Sequence, residues 1–364
     1  MEKGLVIFEG QITALTKLCQ IVGSDKVNGT ELLNLIKRTA IVTDAIPKPD
    51  KNTNDNRGNL TGKRVVSIPV ISGNTIRSIL RMHLAKLLLQ ATDGFKKLTE
   101  SSDYETLLLL FQGGSGVEKT SDAQSQIVRE LEQKKQVNMV LSLFGGSARG
   151  VMSPGKMIVE DGIPFCKETL ESSIIPERIK IQKEQSFMNL FSTDLVFKEQ
   201  YVRWDRFKDP EILMQLSPEI LQEIDKEDKR LAEQKARESE KNENSGKKVK
   251  KEIVPRQMVM NFEVVAPGTE FYHSFTVKFL EDYEIGALIC ALREFAKFPY
   301  VGGLKSKGMG KVAFVYDVVS SEYGKLGTIY SKENFTIEVD GNLKQYIEKF
   351  EEKLSQLKAE DLRV

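Results

Sequence analysis

The last third of the chain constrains the fold more than any other part. QMVMNFEVVAPGTEFYHSFTVKF reads as a strand, a Pro267-Gly268 turn and a second strand. In the second strand Phe275, Val277 and Phe279 alternate with Ser274, Thr276 and Lys278, the period-2 pattern of a sheet with one buried face. EIGALICALREFAKF then repeats apolar residues at Ile285, Leu288, Ile289, Leu292 and Phe295, the spacing of an amphipathic helix. VGGLKSKGMGK (301–311) follows as a glycine-rich loop, and KVAFVYDVV as another strand. A β-β-α-β unit of this kind predicts half of a split βαβ sheet.

The N-terminal part supplies the other half. Residues 4–22, GLVIFEGQITALTKLCQIV, are rich in Val, Ile and Thr and read as one long strand. Pro47 to Gly62 is a polar loop dense in turn residues. A helix begins near Ser72, a candidate N-cap, with Ile76, Leu80, Leu84 and Leu87 as its apolar stripe. Asn74, Arg77 and Arg81 fall on another face, so the helix is expected to show a basic stripe in solvent. The predicted class is therefore α+β: a ferredoxin-like, RRM-like antiparallel sheet core with large insertions, all within one domain, 1–364. The insertions are placed at 93–140 (helical), 160–209 (thumb-like strands and loops, with Trp204) and 210–255 (a charged helix and linker). A closing helix over 342–358 carries Leu343, Ile347, Phe350, Leu354 and Leu357.

Charge narrows the partners. Lys+Arg total 53 against 52 for Asp+Glu, so any nucleic-acid surface must be a local basic patch. Cys19, Cys166 and Cys290 are dispersed and odd in number, which implies a reducing compartment. With no long apolar run, a cytoplasmic protein without a membrane partner is expected.

The loop at 301–311 holds four glycines and three lysines. It is not a Walker loop: Lys305 stands where the first glycine belongs, and Val312 follows Lys311 instead of Ser or Thr. It matches the dinucleotide pattern only loosely, and leaves a helix to open a strand, the reverse of that motif's context. GGSG at 113–116 has no phosphate-binding context either. Two histidines, His83 and His273, give no zinc set, so no metal site and no cofactor are expected. Asp44, in RTAIVTDAIPKPD, reads as a turn former, with a catalytic role as the alternative.

Three stretches together resemble the CRISPR-associated RAMP superfamily: IPVISGNTIRSILR (68–81), VAPGTEFYHSFTV (265–277) and VGGLKSKGMGKV (301–312). LFGGSARGVMSPGKM (143–157) is similar to the type IV version of the guide-coating backbone subunit, with type III as the near alternative. The resemblance implies a non-catalytic subunit that oligomerises head to tail along CRISPR guide RNA in an effector complex, with target nucleic acid engaged through the guide and other effector subunits as partners. The RNA-binding residues it implies are Asn74, Arg77, Arg81, Arg149, Gly302, Gly303, Lys305, Ser306, Lys307, Gly308, Gly310 and Lys311. Under the type III alternative, Asp44 with a divalent metal would cut target RNA. A guide-processing endonuclease of the same superfamily would need a base such as His83 or Tyr300 near the glycine loop.

Overall fold

The structure is a computed structural model and describes residues 4–27, 31–44, 62–114, 124–203, 214–223, 225–226, 229–230, 233 and 258–363. Trp204, residues 45–61 with nearly all of the polar loop, and most of the charged 210–255 insertion lie outside the described residues. The chain divides into two compact units: Met1–Asp25 with Asn34–Lys198 and Glu263–Val364, and Lys26–Leu33 with Glu199–Phe262.

In chain order the strands are β1 (Leu5–Ala14), β2 (Ile21–Val27), β3 (Glu31–Ile36), β4 (Arg38–Thr43), β5 (Arg64–Pro69), β6 (Gly145–Ala148), β7 (Val151–Pro154), β8 (Met157–Val159), β9 (Ile163–Pro164), β10 (Val196–Arg203), β11 (Met258–Val265), β12 (Glu270–Lys278), β13 (Val312–Ser320), β14 (Gly324–Ser331) and β15 (Ile337–Val339). The helices are α1 (Gly73–Ala91), α2 (Gly94–Glu100), α3 (Tyr104–Gln112), α4 (Gln124–Lys135), α5 (Met139–Phe144), α6 (Lys167–Leu170), α7 (Glu177–Phe187), α8 (Asp282–Lys297), α9 (Lys344–Gln356) and α10 (Ala359–Leu362).

The first unit is built on a seven-stranded sheet of order β15-β14-β13-β1-β12-β8, with β9 also on β12. Within it, β1-α1-β8-β12-α8-β13 follow one another in the chain and lie side by side as β13-β1-β12-β8. That is the 4-1-3-2 order of a ferredoxin-like βαββαβ core, antiparallel at each of these pairings. The expected fold class is present. Val6, Phe8, Ile12, Phe275, Val277, Phe314, Tyr316 and Val318 point inward from the three central strands. They pack with Ile76, Leu80, Leu84 and Leu88 of α1 and Ile285, Leu288, Ile289 and Leu292 of α8. Phe8 stacks on Phe275 with centroids 4.5 Å apart.

The second unit holds stretches of β10, β11, β3 and β2, which pair in that order. Gln200 Nε2 donates to Asn261 Oδ1 at 3.2 Å across two of them.

Two sequence expectations change, and one motif acquires a local structure. The first strand stops at Ala14 instead of running to Val22, and a short irregular segment precedes β2. Past Pro176 the chain forms helix α7, not strand and loop, before β10 begins at Val196. LFGGSARG is a helix end plus a hairpin: α5 closes at Phe144, and β6 and β7 turn at Arg149-Gly150.

Candidate nucleic-acid interface

The glycine loop runs from the end of α8 to Val312 and is fastened by backbone hydrogen bonds. Gly303 N donates to Cys19 O at 2.7 Å, Gly310 N to Lys17 O at 2.7 Å and Leu15 N to Lys311 O at 2.8 Å. Lys311 N donates to Thr16 Oγ1 at 2.9 Å, and Val301 N closes the loop on Gly310 O at 2.8 Å. Gly302 (φ +83°) and Gly310 (φ +91°) adopt left-handed backbone, and a Cβ on either would overlap a carbonyl oxygen, of Cys19 and Val301 respectively. These two glycines let protein backbone approach protein backbone.

What the loop presents outward is its crest. Lys305–Lys307 form a single 3-10 turn between Leu304 and Gly308, both left-handed at φ +55° and +76°. Lys305 and Ser306 are exposed, and Lys307 and Lys311 are half-buried. The Lys311 ammonium lies 4.8 Å from the Phe335 ring centroid.

Residues 14–20 join all three motifs singled out in the sequence. Leu18 exchanges backbone hydrogen bonds with Val265 at 3.1 and 2.8 Å. Gly268 N donates to Ala14 O at 2.7 Å. Gln20 Oε1 accepts from Ser72 N at 3.0 Å, and its Nε2 donates to Thr75 Oγ1 at 2.5 Å. Ser72 holds the predicted N-cap position, but its side chain makes no cap bond. The neighbouring donor, Gly73 N, goes to Asp161 Oδ1 at 2.8 Å. A carboxylate of the protein itself thus occupies the positive end of α1, where a phosphate would otherwise bind.

Helix α1 separates the predicted basic residues. At about 100° per residue, Asn74, Arg77, Ser78 and Arg81 form one stripe, and Thr75, His83 and Lys86 lie on the opposite side. His83 feels the glycine loop. Burial pushes it down to about 4, the positive charges of Lys86, Lys305 and Lys297 add to the effect, and Glu294 opposes it. The Arg77/Arg81 stripe faces away, into a cleft of about 950 Å³ also lined by Phe111, Phe144 and Met152. The arginine stripe and the glycine loop are therefore two surfaces, not one.

Nor is Arg81 a solvent cation. It is 7% exposed and donates to Leu109 O at 3.1 Å, Phe144 O at 2.8 Å and Gly145 O at 2.9 Å. Arg77 Nη2 also donates to Phe144 O, and Arg77 remains half-buried at the cleft wall. These guanidiniums close the C-terminal end of α5, whose last carbonyls lack helical partners.

Arg149 lies apart from both surfaces, at the β6–β7 turn, with Nη1 3.7 Å from Glu130 Oε2. Asp44 is exposed just past β4. Among the described residues no group of three or more His, Cys, Asp or Glu is arranged to hold a metal. His273 is fully buried, with Nδ1 2.7 Å from the Tyr316 hydroxyl. The face of the sheet away from α1 and α8 is also charged, but these charges are paired within the protein. Glu9 meets Arg178 and accepts from the Tyr272 hydroxyl at 2.7 Å; Lys183 meets Glu270 at 2.5 Å, and Lys325 meets Asp317 at 2.9 Å. The loop crest and the arginine cleft are two basic features of this unit.

Among the described residues no helix is long and apolar enough to cross a membrane. The comparison with curated proteins finds no match. Among solved structures, a chain of one titled "Type IV-B CRISPR Complex" is similar with a TM-score of 0.43 and 14% identity, over 85% of this chain and 90% of that one. The model of the RAMP superfamily matches residues 59–313, a span that includes α1, the Pro267-Gly268 turn and the whole glycine loop, and the chain belongs to that superfamily.

Proposed function

We propose that the chain is an RNA-binding subunit of a CRISPR effector complex, set in repeated copies head to tail along the guide RNA. The observation that carries this reading is the crest of the glycine loop. Lys305, Ser306 and Lys307 sit on one tight turn whose base is locked to Leu15–Cys19 by backbone hydrogen bonds. Ammonium and hydroxyl donors on a rigid backbone suit phosphate oxygens and read no base edge. A subunit that accepts any guide needs that kind of contact. Head-to-tail contact is heterologous, so copies add along the strand without closing a ring. Other effector subunits, and a target paired to the guide, complete the assembly.

The test is titration of the purified chain with single-stranded RNA at several salt concentrations. Affinity falls steeply with salt and differs little between sequences. Lys305→Ala and Lys307→Ala each weaken binding and each reduce the salt slope by about one unit. An unchanged slope in both variants overturns the clamp. Copy number per strand, read by sedimentation, rises with RNA length if the subunits polymerise.

Asp44 supports a second reading, a type III-like subunit that cuts target RNA with a divalent metal. Its carboxylate is exposed, and among the described residues no ion pair occupies it. Metal-dependent cleavage of RNA paired to the guide, lost in Asp44→Ala, is the result that selects this reading over the first.

A further inference from the structure

An aromatic row lies beside the crest. Phe298 and Tyr300 flank Pro299 where α8 gives way to the glycine loop, and their rings pack with centroids 4.4 Å apart. Tyr300 forms an antiparallel bridge with Lys311. Residues paired in this way project to the same side of the backbone, so Lys311 continues the row. Its ammonium lies 4.8 Å from the ring centroid of Phe335. The order along the surface is Phe298, Tyr300, Lys311, Phe335.

Folding does not account for these rings. Phe298 is 58% exposed and Phe335 45%. An aromatic ring left in water forfeits much of what its burial would contribute. Phe335 also holds a left-handed backbone, φ +64°, which a bulky side chain adopts only against steric resistance. Two backbone bonds fix its turn: Phe335 N donates to Lys332 O at 3.2 Å, and Lys332 N to Thr336 O at 2.8 Å. A strained position that keeps an aromatic ring in water beside a lysine has a use in holding a ligand.

The row is also cationic. Among the described residues Lys311 pairs with no carboxylate, and Lys305 of the crest is exposed on the same loop. Flat rings interleaved with ammonium groups suit a strand that carries π faces and phosphates together. A proline-rich segment would use the rings and leave the lysines unused.

We infer that Phe298, Tyr300 and Phe335 form a stacking platform for unpaired bases of single-stranded RNA, next to the crest that takes the backbone. The inference rests on the RNA-binding reading above and gives it a second, uncharged contact. Every base has a π face, so the platform accepts any sequence.

The experiment uses the full chain and three probes: a single-stranded RNA oligonucleotide, an abasic ribose-phosphate strand of the same length, and a polyproline peptide. The variants are Phe298→Ala, Phe298→Leu, Phe298→Tyr, Phe335→Ala and, for contrast, Lys305→Ala. Phe298→Leu keeps apolar bulk at an exposed position, so it carries the test if an alanine variant does not fold. Loss of a ring weakens RNA about five-fold or more and leaves the salt slope unchanged, since no phosphate contact is removed. Phe298→Tyr retains the wild-type affinity. The abasic strand binds wild type more weakly than RNA does and is indifferent to the ring variants. Lys305→Ala lowers the slope for both strands, so the platform and the crest can fail separately. RNA affinity unchanged in the ring variants, or lost equally for RNA and the abasic strand, overturns the inference. So does polyproline binding that depends on Phe298 while RNA binding does not. A wild type that binds no RNA ends both readings.

Discussion

The Gly303 amide donates to the Cys19 carbonyl oxygen at 2.7 Å, tying the loop that enters the last core strand to the segment that leaves the first. Gly302, beside it, has no room for a side chain against the same carbonyl, and Gly310 has none against Val301 O. Gly308 also has a positive φ but faces open space.

These three glycines separate crowding from backbone preference. Gly308→Ala costs only the left-handed conformation, about 1 kcal/mol. Gly302→Ala and Gly310→Ala add a backbone clash and cost about 2–4 kcal/mol. Urea denaturation of the three variants gives the ranking. Equal losses at all three positions would show that the close approach to residues 17–19 does not matter.

Arg81 and Arg77 should part company in stability. Arg81→Ala removes hydrogen bonds to three carbonyl oxygens, two of them at the end of α5, and leaves a buried gap. Its expected cost is about 2–4 kcal/mol. Arg77→Ala removes a half-buried side chain with one such bond and costs about 1 kcal/mol. Thermal melts that rank Arg77 above Arg81 contradict this account.

The sequence carried the core of this fold and little of what binds its parts together. Alternation in β12 and the apolar period of α8 are local signals, visible because each buries a single face. Helix α7, ERIKIQKEQSF, buries no residue and therefore shows no stripe. Residues 16–20, TKLCQ, lie inside a Val/Ile/Thr-rich run and give no sign of a break; their partners include Lys311, Gly310, Val265, Ser72 and Gly303. Arg81 looked like a surface cation for the same reason. Its carbonyl partners are 28 to 64 residues away, and a carbonyl has no residue type to recognise. The crest lysines were legible because glycine and lysine in one loop allow few readings.

Glu284 anchors a second long-range tie. It is 1% exposed and accepts from Lys156 Nζ at 2.9 and 2.7 Å, from Ser142 Oγ at 2.5 Å and from Glu281 N at 2.9 Å. The network joins α8, α5 and the turn before β8. Glu284→Ala leaves the Lys156 ammonium and the Ser142 hydroxyl without their acceptor and costs about 3 kcal/mol or more. Glu284→Gln keeps one acceptor oxygen and costs less. Denaturant melts of the pair check the order, and a neutral Glu284→Ala would mean that the tie contributes nothing.

Acid should weaken the fold before most carboxylates titrate. His83 and His273 are both pushed from the ordinary 6.5 to about 4, in each case chiefly by burial. The unfolded chain takes up a proton at each near pH 6.5, the folded chain only near pH 4. Between those values the unfolded state binds more protons, so stability is full above about pH 6.5 and is lost as pH falls through the window. The fully buried His273 sets a slope of up to about 1.4 kcal/mol per pH unit; His83, partly exposed, adds less. His273→Gln removes the titrating group and retains an amide that can reach the Tyr316 hydroxyl. Urea melts at pH 7.5, 6 and 5 should show wild type losing stability over this range and His273→Gln, less stable at pH 7.5, losing less of it. Parallel pH profiles for the two proteins would mean that His273 is not held neutral in the fold.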